Sequence, residues 1–238
     1  MNILAVESSA TAAGAAVWSD GELRAEVYNH TRLTHSQTLL PMIADMLRNA
    51  QLSIDEMDAF AVAAGPGSFT GVRIGVAAVK GLAFGKNVPC IPVSTLLGMA
   101  YLFVGQQAHI CAVMDARCGQ VYNALFEVNG AAVTRLCADR AIPVDALGAE
   151  LAAGGHSWVL VGDGAALCAE RLAGVAPVVL APAHLRYQRA SAVAMAAEQA
   201  LLRGESVTDA ALAPFYLRPP QAEREWKKKH PAGETPAV

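Results

Sequence analysis

Two α/β lobes built in one repeated order, βββαβαβα, are the fold class that this sequence predicts. Three observations carry the expectation. Short apolar or alternating runs recur along the chain, helical stretches separate them, and the order of elements in the first half returns in the second without residue-level identity.

The first half opens with strand-like runs at 2–7, 12–18 and 22–28. Gly14 softens the second run, and Ser19-Asp20-Gly21 supplies a hairpin turn before the third. An amphipathic helix is expected over 36–50, with Ser36 as its cap. Strand 59–64, helix 70–84, strand 88–93 and helix 95–104 follow, the last started by Ser94 or Thr95. In the second half, runs at 109–114, 120–128 and 131–137 read as strands, with Asn129-Gly130 as a hairpin turn. Helix 144–153, strand 158–161, helix 165–172, strand 178–180 and helix 190–203 complete the repeat. Two such halves packed together form the actin-like ATPase (ribonuclease H-like) arrangement. The expected division is a lobe at 1–106 and a lobe at 107–189, with helix 190–204 packing back on the first. Residues 205–223 form a surface segment pinned by Phe215 and Tyr216. Residues 224–238, with Lys227-Lys228-Lys229 and little apolar content, read as a flexible tail.

Composition narrows the function classes. The chain has 238 residues, enough for an ample core, and much of its apolar content is alanine. No apolar run reaches the length of a membrane span, and Glu7 falls where a signal peptide would be apolar, so a cytoplasmic location is expected. Five cysteines form no C-x-x-C pair, which suits a reducing compartment. A formal net charge of −3 provides no global basic field for tight nucleic-acid binding.

The run Gly65-Pro66-Gly67-Ser68-Phe69-Thr70-Gly71-Val72-Arg73-Ile74-Gly75 joins a buried strand to a helix that Ser68 or Thr70 can cap. Such a loop offers N–H groups to an anion, yet it has neither P-loop nor Rossmann spacing. Phosphate binding and a structural turn both stand as readings. This run, together with Ile3 to Ser9, His35 to Pro41, Pro92 to Leu96, Met114-Asp115-Ala116-Arg117 with Val121-Tyr122, and Pro214-Phe215-Tyr216-Leu217-Arg218, resembles the TsaB (YeaZ) family of tRNA threonylcarbamoyladenosine biosynthesis proteins. The resemblance extends to about residue 223.

That resemblance implies a non-catalytic relative of TsaD, the transferase that places threonylcarbamoyl on an adenosine of tRNAs reading codons that begin with A. It implies a scaffold and activator of a TsaD-like transferase, working with a TsaE-like ATPase. The assembled complex uses ATP, and the isolated subunit needs no cofactor. TsaD-like relatives carry two metal-binding histidines on the helix after the strand equivalent to 88–93, and that motif lays onto Thr95 and Met99 here. Neither residue is an imidazole, so no metal is expected. The loop Val161-Gly162-Asp163-Gly164-Ala165 resembles an adenosine-contacting turn, while the preferred reading is a tight turn with Asp163 as a helix cap. Glu7, Ser8, Gly162, Asp163 and Gly164 are therefore the residues of a vestigial nucleotide site.

No nucleophile stands out. His35 and Ser36 diverge on a helix, and Cys118 beside Arg117 has no histidine near in sequence. The alternative to a scaffold is an enzyme of the same fold, a glycoprotease or a small-molecule kinase or ATPase, using Glu7, Asp115 and the glycine loops. A scaffold needs a surface. Helix 36–50 carries Leu39, Leu40, Met42, Ile43, Met46 and Leu47, and helix 70–84 carries Val72, Gly75, Val76 and Val79. The expectation is that this patch, the one the family uses, serves a homodimer in the free protein and the TsaD-like partner in the complex, with tRNA reached only through that complex.

Overall fold

The computed structural model describes residues 1–31 and 33–218, so the expected tail with Lys227–Lys229 lies outside the described residues. The chain runs β1 (Asn2–Glu7), β2 (Ala13–Ser19), β3 (Glu22–Asn29), α1 (His35–Asn49), β4 (Ala59–Gly65), α2 (Phe69–Ala83), β5 (Cys90–Ser94) and α3 (Thr95–Tyr101). It continues as β6 (Gln107–Asp115), β7 (Gln120–Asn129), β8 (Ala132–Arg135), β9 (Arg140–Pro143), α4 (Val144–Ala153), β10 (Trp158–Val161), α5 (Ala165–Arg171), β11 (Val178–Leu180) and α6 (Ala190–Leu202). The first sheet has the order β3-β2-β1-β4-β5, and the second β11-β10-β6-β7-β8 with β9 also on β7. In each, an antiparallel hairpin is joined to parallel strands through helices, which is the two-lobed actin-like class.

The layers are set by which faces are apolar. Leu4, Val6, Val17, Phe60 and Val62 on one face of the first sheet meet α1 and α2. Ile3, Ala5, Ala59, Ala61 and Ala63 on the other face meet α6. On the second sheet, Ile110, Ala112, Phe126 and Val128 receive α3, while Cys111, Val113, Leu125 and Leu160 receive α4 and α5. Helix α3 precedes the second sheet in sequence yet packs on it, and α6 follows that sheet yet packs on the first. The two helices touch each other between the sheets, where Gly98 lets Val193 approach closely.

Three local expectations need correction. The run 131–137 is not one strand. The ten-residue β7 pairs β8 along Phe126–Asn129 and β9 along Gln120–Asn123, so two short strands share its edge. Ser36 does not cap α1, which starts at His35 after Thr34 with no side-chain cap bond. Asp163 does not cap α5, whose cap position is Gly164.

The apolar patch on α1 and α2 is also revised. Leu39, Ile43, Met46, Leu47, Val72, Val76 and Val79 all lie in the core against the first sheet, and Gly75 is buried. Of the patch residues, only Leu40 is exposed, at 51%, with Met42 partly so. The breadth of the apolar stripe reflects two packing surfaces of α1, one toward the sheet and one toward α2.

Phe103, just past α3, is 2% exposed in the core that joins α3 to the second sheet. Phe103→Ala is expected to cost about 3–5 kcal/mol in urea unfolding, by cavity formation. A loss below about 1 kcal/mol would mean that this contact does not couple α3 to the second sheet.

Candidate functional site

The site expected from the sequence lies where the carboxyl ends of β1, β4, β6 and β10 converge between the lobes. After β1 the chain turns through Glu7, Ser8, Ser9 and Ala10 before entering β2. All four are buried, and the first half of α2 lies directly on them. The fit depends on glycines spaced one turn apart along that helix and its lead-in. A Cβ at Gly67 would come 2.4 Å from the Ser9 carbonyl oxygen, one at Gly71 2.2 Å from that of Ser8, and one at Gly75 2.5 Å from the Ser8 hydroxyl. Ser68 N donates to the Ser9 carbonyl at 2.7 Å, Ser8 Oγ donates to the Gly71 carbonyl at 2.9 Å, and Ser68 Oγ accepts from Gly71 N as the helix cap. His35 Nε2 at the start of α1 donates to the Ala10 carbonyl at 2.7 Å. The glycine run is therefore a packing surface for the β1–β2 turn, and Ser8 is spent on it.

Glu7 is 1% exposed at the bottom of this turn, where its Oε1 accepts from Ser9 N at 2.6 Å. Burial pushes its carboxyl up to about 7, partly offset by the hydroxyl of Ser9 and the backbone N–H groups of Ser9 and Ser8, and the charge of Asp163 adds to the rise. Asp163 belongs to the opposite lobe. Burial pushes it up to about 6, partly offset by backbone N–H groups, and its Oδ1 has no hydrogen-bond partner.

The loop around Asp163 is shaped by close backbone packing. Gly162 has φ +111°, and a Cβ there would lie 2.0 Å from the Val113 carbonyl oxygen and 2.9 Å from Met99 Sδ. A Cβ at Gly164 would lie 3.0 Å from the Met114 carbonyl carbon. Both glycines are filled against the end of β6, leaving no open backbone above them. Of Glu7, Ser8, Gly162, Asp163 and Gly164, only Asp163 opens on a cleft.

That cleft has a volume of about 620 Å3 and lies between the lobes. Ser9, Asp115 and Asp163 line it together with Tyr122 and Tyr187. The segment after α6 crosses its mouth as a strap. Val207 pairs with Cys90, Lys80 Nζ donates to the carbonyls of Ala210 and Leu212, and Phe215 N donates to the Ala64 carbonyl at 2.7 Å. Gly65, at φ +123°, admits the Phe215 carbonyl, which a Cβ would meet at 2.2 Å. Arg73 then donates to Tyr216 Oη at 2.9 Å and lies over the Phe69 ring, and Arg218 reaches the second lobe at the Ala116 carbonyl. The runs at 65–75 and 214–218 are thus one structural lock. Spacing along the chain held no sign of that pairing, nor of Gln188, which is 1% exposed beside Asp163.

Thr95 and Met99 stand one turn apart at the start of α3, each 1% exposed. The Thr95 hydroxyl has no hydrogen-bond partner, and the Met99 thioether packs under Gly162. One hydroxyl and one thioether do not fit a transition metal, and among the described residues no cluster of three His, Cys, Asp or Glu side chains is placed to hold one.

Fold and site together define a two-lobed actin-like protein in which the turn after β1 is closed by a helix. The chain belongs to the TsaD family, whose model, described as tRNA N6-adenosine threonylcarbamoyltransferase, matches residues 29–226. Its relatives include the tRNA threonylcarbamoyladenosine biosynthesis protein TsaB of Escherichia coli, 40% identical over 129 residues, which are 53% of this chain and 55% of that protein. TsaB of Bacillus subtilis is 31% identical over 140 residues, covering 59% of this chain and 61% of that one. The matched stretch thus spans little more than half the length of these curated relatives. A Pseudomonas aeruginosa structure, described as an uncharacterized protein with similarity to peptidase YeaZ, superposes with a TM-score of 0.80 at 30% identity, covering 91% of this chain and 99% of that one.

Gly71→Ala tests the packing of α2 on the turn. The added methyl meets backbone rather than a flexible side chain, so unfolding stability is expected to fall by about 1–3 kcal/mol. Gly81 is the control, since it is exposed and a methyl there would have nothing within 4 Å. Gly81→Ala should be neutral or stabilising. Equal effects at the two positions would contradict the packing role.

Proposed function

We propose that this protein acts in tRNA threonylcarbamoyladenosine biosynthesis as a non-catalytic subunit that binds and activates a TsaD-like transferase. The observation that carries this reading is the burial of Thr95 and Met99, a hydroxyl and a thioether, at the positions of the family's histidine pair. Where the catalytic relative is expected to hold a metal, this chain holds core. The names of the TsaB relatives supply the pathway.

The docking surface is the outward side of α1 and α2. These helices touch, and their outer side presents the exposed Leu40 and, just past α2, Phe84, which is 79% exposed, among polar side chains that include the Asp45–Arg48 ion pair. On α2 the exposed row Thr70, Ala77 and Gly81 is small, which favours close approach of another helix. In the free protein the same surface serves self-association. A TsaE-like ATPase joins the transferase complex, and tRNA is engaged by the complex rather than by this subunit alone.

Leu40→Glu tests the surface. The variant is expected to fold with an unchanged melting temperature, to be monomeric, and to lose co-purification with a TsaD-like transferase. Met46→Glu, by contrast, places a charge in the core, since Met46 is 6% exposed, and should cost about 3–5 kcal/mol of stability. A folded, monomeric Leu40→Glu protein that still binds the transferase would remove α1 from the docking surface.

A further inference from the structure

We propose that the cleft between the lobes binds a small zwitterion, a molecule of amino-acid or dipeptide size that carries both an ammonium group and a carboxylate. The lining carries this. Asp115 and Asp163 bring two acids to the wall, and Arg117 and Arg218 bring two guanidinium groups. A ligand with both charges complements such a wall better than one of either sign alone.

These charges are not used up by one another. Arg218 Nη1 donates to the Ala116 carbonyl at 3.2 Å, a neutral partner, and Arg218 makes no ion pair among the described residues. The Arg117 side chain is largely exposed, and its Nη1 meets Asp115 Oδ2 only at 3.6 Å. Asp163 is partly exposed at the cleft, makes no ion pair among the described residues, and has no hydrogen-bond partner at Oδ1. Beside it Gln188, 1% exposed, lacks a well-formed bond at either amide atom. On the opposite wall the buried hydroxyl of Ser9 lacks one too. Three unpartnered polar side chains thus gather at this cleft from the first lobe, the second lobe and the lead-in to α6. Native interiors seldom leave such groups without a partner, and a ligand that can donate supplies one.

Much of the remaining wall is aromatic. Tyr187 stacks on His30 at 4.4 Å, Phe69 lies 4.9 Å from Tyr216, and Tyr122 lines the cleft from β7. Rings of this kind accept an apolar or ring-bearing body and attract an ammonium group. The volume of about 620 Å3 falls in the usual range of small-molecule sites. A nucleoside polyphosphate fits less well. The N–H groups of Ser68 and Gly71 are given to the Ser9 carbonyl and to Ser68 Oγ, and two acids on the wall would repel phosphates.

Isothermal titration calorimetry on the full chain tests this. At about pH 7 most of the Asp163 carboxyl, near 6, is ionised, and an α-amino group is mostly protonated. The probes are L-phenylalanine and glycyl-L-phenylalanine, with phenethylamine, which lacks the carboxylate, and 3-phenylpropionate, which lacks the amine. At least one zwitterion is expected to bind with a Kd of about 0.1–1 mM, and the tighter of the two tells free amino acid from peptide. Each one-ended analogue should bind about tenfold more weakly. Asp163→Asn should abolish the preference for the zwitterion over 3-phenylpropionate, and Arg218→Gln the preference over phenethylamine. Leu40→Glu, on the docking surface, should bind the probes as the wild type does, so failure of the cleft and failure of the docking surface are read separately. The proposal is overturned if neither zwitterion binds at about 10 mM. It is also overturned if a one-ended analogue binds as tightly as the zwitterions, which would leave a site for a cation or an anion alone, or if the preferences survive both substitutions.

Discussion

The contact on which the rest of the structure depends is the seating of α2 on the turn after β1. Three backbone or hydroxyl oxygens occupy the space where side chains at Gly67, Gly71 and Gly75 would project. No longer residue fits, and no looser contact would place Ser68 N on the Ser9 carbonyl or Ser8 Oγ on the Gly71 carbonyl. Once α2 is fixed there, its far side is fixed too. Val72, Val76 and Val79 turn to the sheet, Arg73 turns to Tyr216, and Ala77 and Gly81 turn to solvent. The strap, which lays Phe215 on Gly65 and gives Tyr216 to Arg73, is a consequence of the same geometry. A loop that could have presented N–H groups to an anion instead presents them to its own chain.

The alanine-rich composition finds its explanation between the lobes. The face of the first sheet toward α6 carries Ala5, Ala59, Ala61 and Ala63 beside Ile3, Ile91 and Val93, and α6 answers with Ala194, Ala196 and Ala197 beside Val193. Small side chains on both surfaces let helix and sheet approach closely, and the same holds where Gly98 of α3 meets Val193 of α6. Because α3 packs on the sheet that follows it and α6 on the sheet that precedes it, neither lobe completes its core with its own consecutive elements alone. The alanines between these layers allow the tight interleaving that a close-packed interior requires.

How much of this was legible in the sequence follows from how local each determinant is. Strand and helix order was readable because periodicity and turns such as Asn129-Gly130 are local signals. Strand β9 was not, since Arg140–Pro143 becomes a strand only because β7 is long enough to carry a second partner on the same edge. The glycines of α2 were visible as small residues, but whether they faced a second molecule or the β1–β2 turn depended on an element far away in sequence. The same limit misplaced Leu39, Ile43 and Met46: an amphipathic stripe reports how much of a helix is apolar, not how many neighbours share it. Of the polar candidates, Glu7 and Asp163 were recognisable by type and position, whereas Ser8, Gly162 and Gly164 serve packing. Gln188 carried no signal, because it matters only through the loop that brings it to Asp163.

Thr95 and Met99 tie the cleft to the core beneath it. A pair of imidazoles one turn apart needs partners, charge and access from the cleft. Here the thioether lies under Gly162, where it fills the space below the loop that carries Asp163. Filling a site with core changes what surrounds it: with no cation there, the acids around the cleft must be protonated, solvated or paired. Asp115 pairs with Arg117 and is partly exposed, Asp163 is partly exposed at the cleft, and Glu7 is buried without an ion pair among the described residues. Burial thus raises the carboxyls of both Glu7 and Asp163, whereas the outer side of α1 meets solvent with the exposed Leu40 beside the Asp45–Arg48 ion pair.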